Sequence, residues 1–144
     1  MIVKAVKTLL ALVVVVAGAV AAEDRPAGAP DRDARIAATG LSPGLVDGKD
    51  AHRLVAAGIT VVDVRTPAEY GAGHVPGAIN IPYDEVAMRH ADLGPPSTAV
   101  LIYCKSGRRS GLAAATMREL GFTRIFDLQA YERWVESDEP PAAR

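Results

Sequence analysis

Two stretches of this 144-residue chain are apolar at nearly every successive position: GITVVDVR (58–65) and AVLIYC (99–104). A strand with one wet face alternates apolar and polar residues, whereas a β-branched run without alternation reads as a strand covered on both faces, as in parallel sheets. RIFDL (124–128) is a shorter version, and INIP (79–82) is a weak fourth strand stopped by Pro82. The stretches between them carry helical patterns. DGKDAHRLVAAG (47–58) has Asp50 as a candidate N-cap and Gly58 as a stop. YDEVAMRH (83–90) follows, and then SGLAAATMRELG (110–121), which sets Ala113, Met117 and Leu120 on one face, Arg118 and Glu119 outside, and Gly121 at the end. YERWVES (131–137) closes the series. Strands that alternate with helices predict an α/β fold, a doubly wound parallel sheet flanked by helices and joined by right-handed crossovers. Ligands of such sheets sit beyond the carboxyl ends of the strands. Cys104, Asp63 and Arg65 all fall on that edge.

The ends read differently. Residues 1–22 begin with Lys4 and Lys7, continue through an apolar run from Leu9 to Val16 and finish in small residues around Ala19–Ala22, the pattern of a cleavable signal peptide. The run is shorter than the roughly 20 residues of a spanning helix. No cysteine stands just after it for a lipid anchor. The expectation is a periplasmic or secreted protein with no stable membrane anchor after cleavage. Residues 23–44 are rich in Ala, Gly, Pro, Asp and Arg and nearly empty of large apolar groups, so they predict a flexible linker. The folded domain is expected over 45–136, and a disordered tail over 137–144.

Charge narrows the partners. The chain has 16 basic and 17 acidic residues, and losing Lys4 and Lys7 with the signal leaves a net charge of about −3. That is too mild to argue for nucleic acid or an acidic membrane surface. No Cys/His cluster has metal-ligand spacing, and no cofactor is implied. One cysteine cannot form an internal disulfide, so in an oxidising compartment Cys104 is either inert and buried or kept for its reactivity.

The segment CKSGRRS (104–110) favours reactivity. It joins a strand to a helix, so its backbone N–H groups are free to converge on an anion. Gly107 lets the chain turn tightly, and Lys105, Arg108 and Arg109 place three positive charges within five residues of the sulfur. These features stabilise a thiolate, the nucleophilic form. The plainer alternative is a solvated basic loop with a small hydrophobe at the strand end.

Together, VVDVRTPAEYGAGHVPGAINIP and, further on, IYCKSGRRSGLAA and ELGF resemble the rhodanese, or sulfurtransferase, domains in their small exported form, over about Leu45–Trp134. The resemblance implies that Cys104 is catalytic. It would take sulfane sulfur from a small anionic donor such as thiosulfate, carry it as a persulfide, and pass it to cyanide or another thiophilic acceptor. It implies substrate binding by Lys105, Ser106, Gly107, Arg108, Arg109 and Ser110. Asp63 and Arg65 then read as hydrogen-bonding groups near the active edge, and His74 as a hydrogen-bonding residue rather than a base. Glu69 is a candidate partner for a loop arginine. His52 and His90 read as surface, and Trp134 as an anchor for the last helix. Where many members carry a Gly-Gly pair after the last strand, this chain has Gln129-Ala130, with Tyr131 next and directed toward the pocket.

Two rivals share parts of this pattern. Cysteine phosphatases and arsenate reductases of the C-x5-R kind need an arginine six positions after the cysteine. Ser110 stands there, and Arg109 comes one earlier. The other rival is a rhodanese-like module that only binds anions or partners. Such modules commonly lack the cysteine that this chain retains.

Overall fold

A computed structural model of the protein describes residues 29–138. The expected signal (1–22) and nearly all of the expected tail lie outside those residues. One sheet holds five parallel strands: β1 Gly44–Leu45, β2 Thr60–Asp63, β3 Ile79–Asn80, β4 Val100–Cys104 and β5 Ile125–Ala130, in the order β1-β5-β4-β2-β3. The helices are α1 Ala29–Ala38, α2 Gly48–Ala56, α3 Pro67–Ala72, α4 Val86–Arg89, α5 Arg108–Glu119 and α6 Tyr131–Ser137, with a 3-10 turn at His90–Leu93.

The unbroken apolar runs are explained by a core on each face of the sheet. Alternate residues of β4 divide between them. Leu101 and Tyr103 join Ile36, Leu54, Phe126 and Leu128 on the face covered by α1, α2 and α6, where Trp134 packs half-buried. Val100, Ile102 and Cys104 join Val86, Ala113, Ala114 and Met117 on the face covered by α4 and α5. A central strand buried on both sides has no polar positions to spare, so periodicity gives way to continuous hydrophobicity.

Four local expectations need correction. Residues 23–44 are not linker throughout: α1 and the first residue of β1 fall within them, and Ile36, at 3% exposure, pins α1 to the core. The N-cap of α2 is Asp47 rather than Asp50. Its carboxylate accepts the Asp50 N–H at 2.8 Å, and Gly58, at φ +88°, ends the helix as expected. Helix α3 was not anticipated, although TPAE spells a capping box: Thr66 Oγ1 accepts from the Glu69 N–H and Glu69 Oε2 accepts from the Thr66 N–H. His52 is not a free surface residue, since its ring stacks on Trp134 with centroids 3.5 Å apart.

The last strand carries a bulge that shapes the active edge. Ile102 pairs with Asp127 and Tyr103 with Gln129, so Leu128 is the extra residue. Gln129 takes φ +72°, the one non-glycine residue with positive φ among those described.

Candidate active site

Cys104 ends β4, Lys105 to Gly107 turn the chain, and α5 begins at Arg108. Gly107 makes the turn at φ +93°, and its N–H donates to Cys104 Sγ at 3.0 Å. A side chain at Gly107 would be strained by that φ and crowded as well, because Gln129 Cβ lies 3.1 Å from where a Cβ would stand. Burial pushes the Cys104 thiol up. The N–H groups of Ser110, Ser106 and Gly107 and the Ser110 hydroxyl outweigh it, so the thiol is held below its ordinary value. The loop thus stabilises negative charge on sulfur mainly with backbone dipoles.

The basic side chains are arranged less uniformly than their spacing suggests. Lys105 and Arg108 are exposed. Arg109 turns away from open solvent into a bidentate pair with Glu69, Nη1 to Oε2 at 2.7 Å and Nη2 to Oε1 at 2.8 Å. The Arg109 guanidinium, helped by the Thr66 N–H, holds the Glu69 carboxyl well below the usual carboxylate range. Ser106 is exposed, whereas Ser110 is fully buried and donates from Oγ to the Gly107 carbonyl at 3.1 Å. Of the six residues expected to bind substrate, Gly107 bonds the sulfur, Ser106 and Ser110 help hold its charge, Lys105 and Arg108 are in no ion pair among the described residues, and Arg109 is locked to α3.

Beside the loop, the end of β2 is closed by a buried network. Asp63 Oδ2 accepts from Arg65 Nη2 at 2.6 Å and from the Tyr103 hydroxyl at 2.9 Å, and that hydroxyl accepts the Val75 N–H at 3.0 Å. Asn80 Nδ2 donates to the carbonyls of Asp63 and Arg65, both at 3.0 Å. Burial pushes the Tyr103 hydroxyl well above its usual range. These contacts give Asp63 and Arg65 the hydrogen-bonding roles expected of them. His74 likewise donates from Nδ1 to the Tyr70 carbonyl at 2.9 Å and stacks on the Tyr70 ring.

Sequence reasoning missed Asp127, a buried carboxylate on β5. Burial raises it, opposed by the Ser110 hydroxyl and the Gln129 N–H, which donates to Oδ1 at 2.8 Å. The available signal was one acid inside the apolar run IFDL. A pocket of about 220 Å³ opens next to the loop, lined by Arg65, Glu69, Ala72, Lys105, Tyr131 and Glu132. Tyr131 does face it, as expected. A larger hollow lies between the start of α2 and α6, and no residue of the cysteine loop lines it. Among the described residues no three His, Cys, Asp or Glu side chains converge to hold a metal ion, and no helix is long and apolar enough to cross a membrane.

A profile of the rhodanese-like domain matches residues 47–137. The chain belongs to the rhodanese-like sulfurtransferase family. Thiosulfate sulfurtransferase PspE of Escherichia coli is 45% identical over 65 residues, which cover 44% of this chain and 62% of that protein. The match therefore spans about three fifths of PspE. Thiosulfate sulfurtransferase 16 of Arabidopsis thaliana is 33% identical over 113 residues, 70% of this chain and 94% of the relative. Among solved rhodanese folds, the human single-domain sulfurtransferase TSTD1 superimposes with a TM-score of 0.58 at 25% identity, covering 69% of this chain and all of that one. A rhodanese with anions from E. coli gives a TM-score of 0.50 at 37% identity, covering 51% of this chain and 88% of its own.

Proposed function

We propose that this rhodanese-like protein is a thiosulfate sulfurtransferase working through a Cys104 persulfide. The observation that carries the reading is the convergence of N–H groups on Sγ, with Gly107 at 3.0 Å, which favours the thiolate in a fully buried position. The thiolate attacks the outer sulfur of thiosulfate. A bond forms between Sγ and that sulfur, the sulfur–sulfur bond of thiosulfate breaks, and its electron pair leaves with sulfite. The loop amides that held the thiolate then face the persulfide anion. Cyanide attacks the terminal sulfur, thiocyanate departs, and the electron pair of the broken bond restores the Cys104 thiolate. No proton need be supplied in either half, so a thiolate already formed needs no catalytic base. Because Cys104 has no exposed surface, the Lys105–Gly107 turn must yield to admit the donor, and Lys105 and Arg108, which are in no ion pair among the described residues, draw an anion to it.

The test is a thiosulfate-to-cyanide assay on the wild type beside Cys104→Ser, with mass spectrometry of the thiosulfate-treated protein. One added sulfur on Cys104, removed by cyanide, is expected, with all turnover lost in the serine variant. Turnover retained by Cys104→Ser would overturn the reading. The basic start, short apolar run and small-residue exit of residues 1–22 further support an exported protein. N-terminal sequencing from an exporting host should find a start near Ala22 or Glu23.

A further inference from the structure

The Arg65 guanidinium is occupied at two of its three nitrogens. Nε donates to both Asp63 oxygens at 3.0 Å, and Nη2 donates to Asp63 Oδ2 and to the Gly73 carbonyl, both at 2.6 Å. Tyr131 lies 4.6 Å and Tyr103 5.4 Å from its central carbon, the two rings stacked on each other with centroids 5.7 Å apart. Nη1 has no partner among the described residues. The side chain is only 8% exposed, yet no buried side-chain nitrogen or oxygen among those residues lacks a partner. Nη1 is therefore not sealed in the core. Arg65 is also one of the residues that line the pocket beside the cysteine loop.

The remaining walls of that pocket carry a specific set of groups. Lys105 stands on the cysteine side and makes no ion pair among the described residues. Glu69 is spent on Arg109, but Glu132 is exposed and is in no ion pair among those residues. The Tyr131 ring and the Ala72 methyl supply apolar surface between them. Arg65 already shares its charge with Asp63, so a bare dianion would meet one unpaired cation of the lining, Lys105, and be repelled by Glu132. A molecule with a carboxylate, an ammonium and a short apolar stem uses every wall.

We propose that this pocket seats an amino-acid-type thiol as the sulfur acceptor, its carboxylate on Arg65 Nη1 and Lys105 and its ammonium facing Glu132. The proposal rests on the sulfurtransferase reading of Cys104. Lys105 is the next residue in the chain, so a thiol held there is placed at the entrance to the persulfide. The acceptor's thiol gives its proton to the terminal sulfur of the Cys104 persulfide anion, and the resulting thiolate attacks that sulfur. The new sulfur–sulfur bond forms on the acceptor, the bond to Sγ breaks with its electron pair left as the Cys104 thiolate, and the proton leaves with the acceptor's persulfide.

The experiment loads Cys104 with thiosulfate, removes the excess, and follows loss of the added sulfur by mass after mixing with cysteine, cysteamine or 3-mercaptopropionate. Dividing each variant's rate by the wild-type rate for the same thiol cancels the thiol's intrinsic reactivity. Glu132→Gln should slow cysteine and cysteamine about threefold relative to 3-mercaptopropionate, the scale of a partly exposed ion pair. Arg65→Lys keeps a cation for Asp63 but withdraws the planar fork, and it should slow the two carboxylate-bearing thiols relative to cysteamine. If that variant does not fold, Glu132→Gln decides alone. Equal ratios for the three thiols in Glu132→Gln would overturn the pocket's role while leaving sulfur transfer intact. A wild-type protein that acquires no sulfur from thiosulfate would overturn the sulfurtransferase reading and the pocket's role with it.

Discussion

Two neighbouring strands end at the same edge of the sheet and treat charge in opposite ways. At the end of β2, Asp63 and Arg65 are buried side chains that neutralise one another through a multiply bonded pair, with Tyr103 adding a bond to the Asp63 carboxylate and Asn80 holding the two backbone carbonyls. At the end of β4, Cys104 is equally buried, but the groups that meet its charge are backbone N–H donors of a turn and a helix start. A side-chain ion pair is static, since losing either partner strands the other in a poor solvent. A ring of amides carries no net charge, so it can hold a thiolate, a persulfide or the parent thiol in turn. The first arrangement suits a frame and the second suits a site whose anion changes identity.

The sharpest way to break that contrast is to strand a charge at β2. Asp63→Ala leaves the Arg65 cation buried without its carboxylate and deprives the Tyr103 hydroxyl of its acceptor. Removing one partner of a buried pair costs about 3–5 kcal/mol. Urea unfolding should show the loss, and a variant as stable as wild type would mean the β2 network is not a frame. On the β4 side, Gly107→Ala should cost about 1–2 kcal/mol, because a non-glycine residue at φ +93° is strained and Gln129 fills the space. It should also push the iodoacetamide profile of Cys104 to higher pH, since the N–H at 3.0 Å would be displaced.

Arg109 tests whether side-chain charge matters at β4 at all. Held by Glu69, it presents a nearly neutral pair to the sulfur; Arg109→Ala leaves the Glu69 carboxylate unpaired there and should raise the pH of half-maximal alkylation. Glu69→Gln frees the Arg109 cation and should move the profile the other way. Stability gives a second readout. The Glu69 carboxyl is lowered on folding, so its contribution is complete above the ordinary carboxylate range and is lost as pH falls below it. Wild type should therefore exceed Glu69→Gln at neutral pH, and the gap should close in acid.

The sequence was most readable where burial removed choice. Continuous apolar runs marked β2, β4 and β5 because a strand covered on both faces has no polar position to confuse the pattern. The cysteine loop was readable because glycine, a chain turn and a helix start follow each other directly. Features decided by pairs distant in sequence were readable only in part: Glu69 was expected to partner a loop arginine, but which arginine the sequence did not say. Glu69 meets Arg109 across 40 residues, and only the packing of α3 beside the loop shows that one of three cations is already neutralised. Helix α1 is held by Ile36 in a segment whose composition argues for a linker, and β1 is two residues long. In each case a single tertiary contact outweighs the local composition.

Gln129 carries the smallest expected effect and the finest test of the contrast. It sits at φ +72° after the bulge, its N–H held by the Asp127 carboxylate at 2.8 Å and its side chain against Gly107. A non-glycine residue in this region costs roughly 1–2 kcal/mol, while glycine loses about 0.5–1 kcal/mol more chain entropy on folding. Gln129→Gly should therefore stabilise the fold slightly, by at most about 1 kcal/mol. If the β4 site depends on amides held in place by their neighbours, the same change removes the cover over Gly107 and lets the turn open more often. Alkylation of Cys104 should then become faster at saturating pH, even as the melting temperature rises. Gln129→Ala keeps the strain and the Cβ contact, so it should gain neither stability nor reactivity. A Gln129→Gly protein that is more stable with an unchanged alkylation rate would show that the turn is set by Gly107 and α5 alone, and that the strained residue beside it does not brace the sulfur.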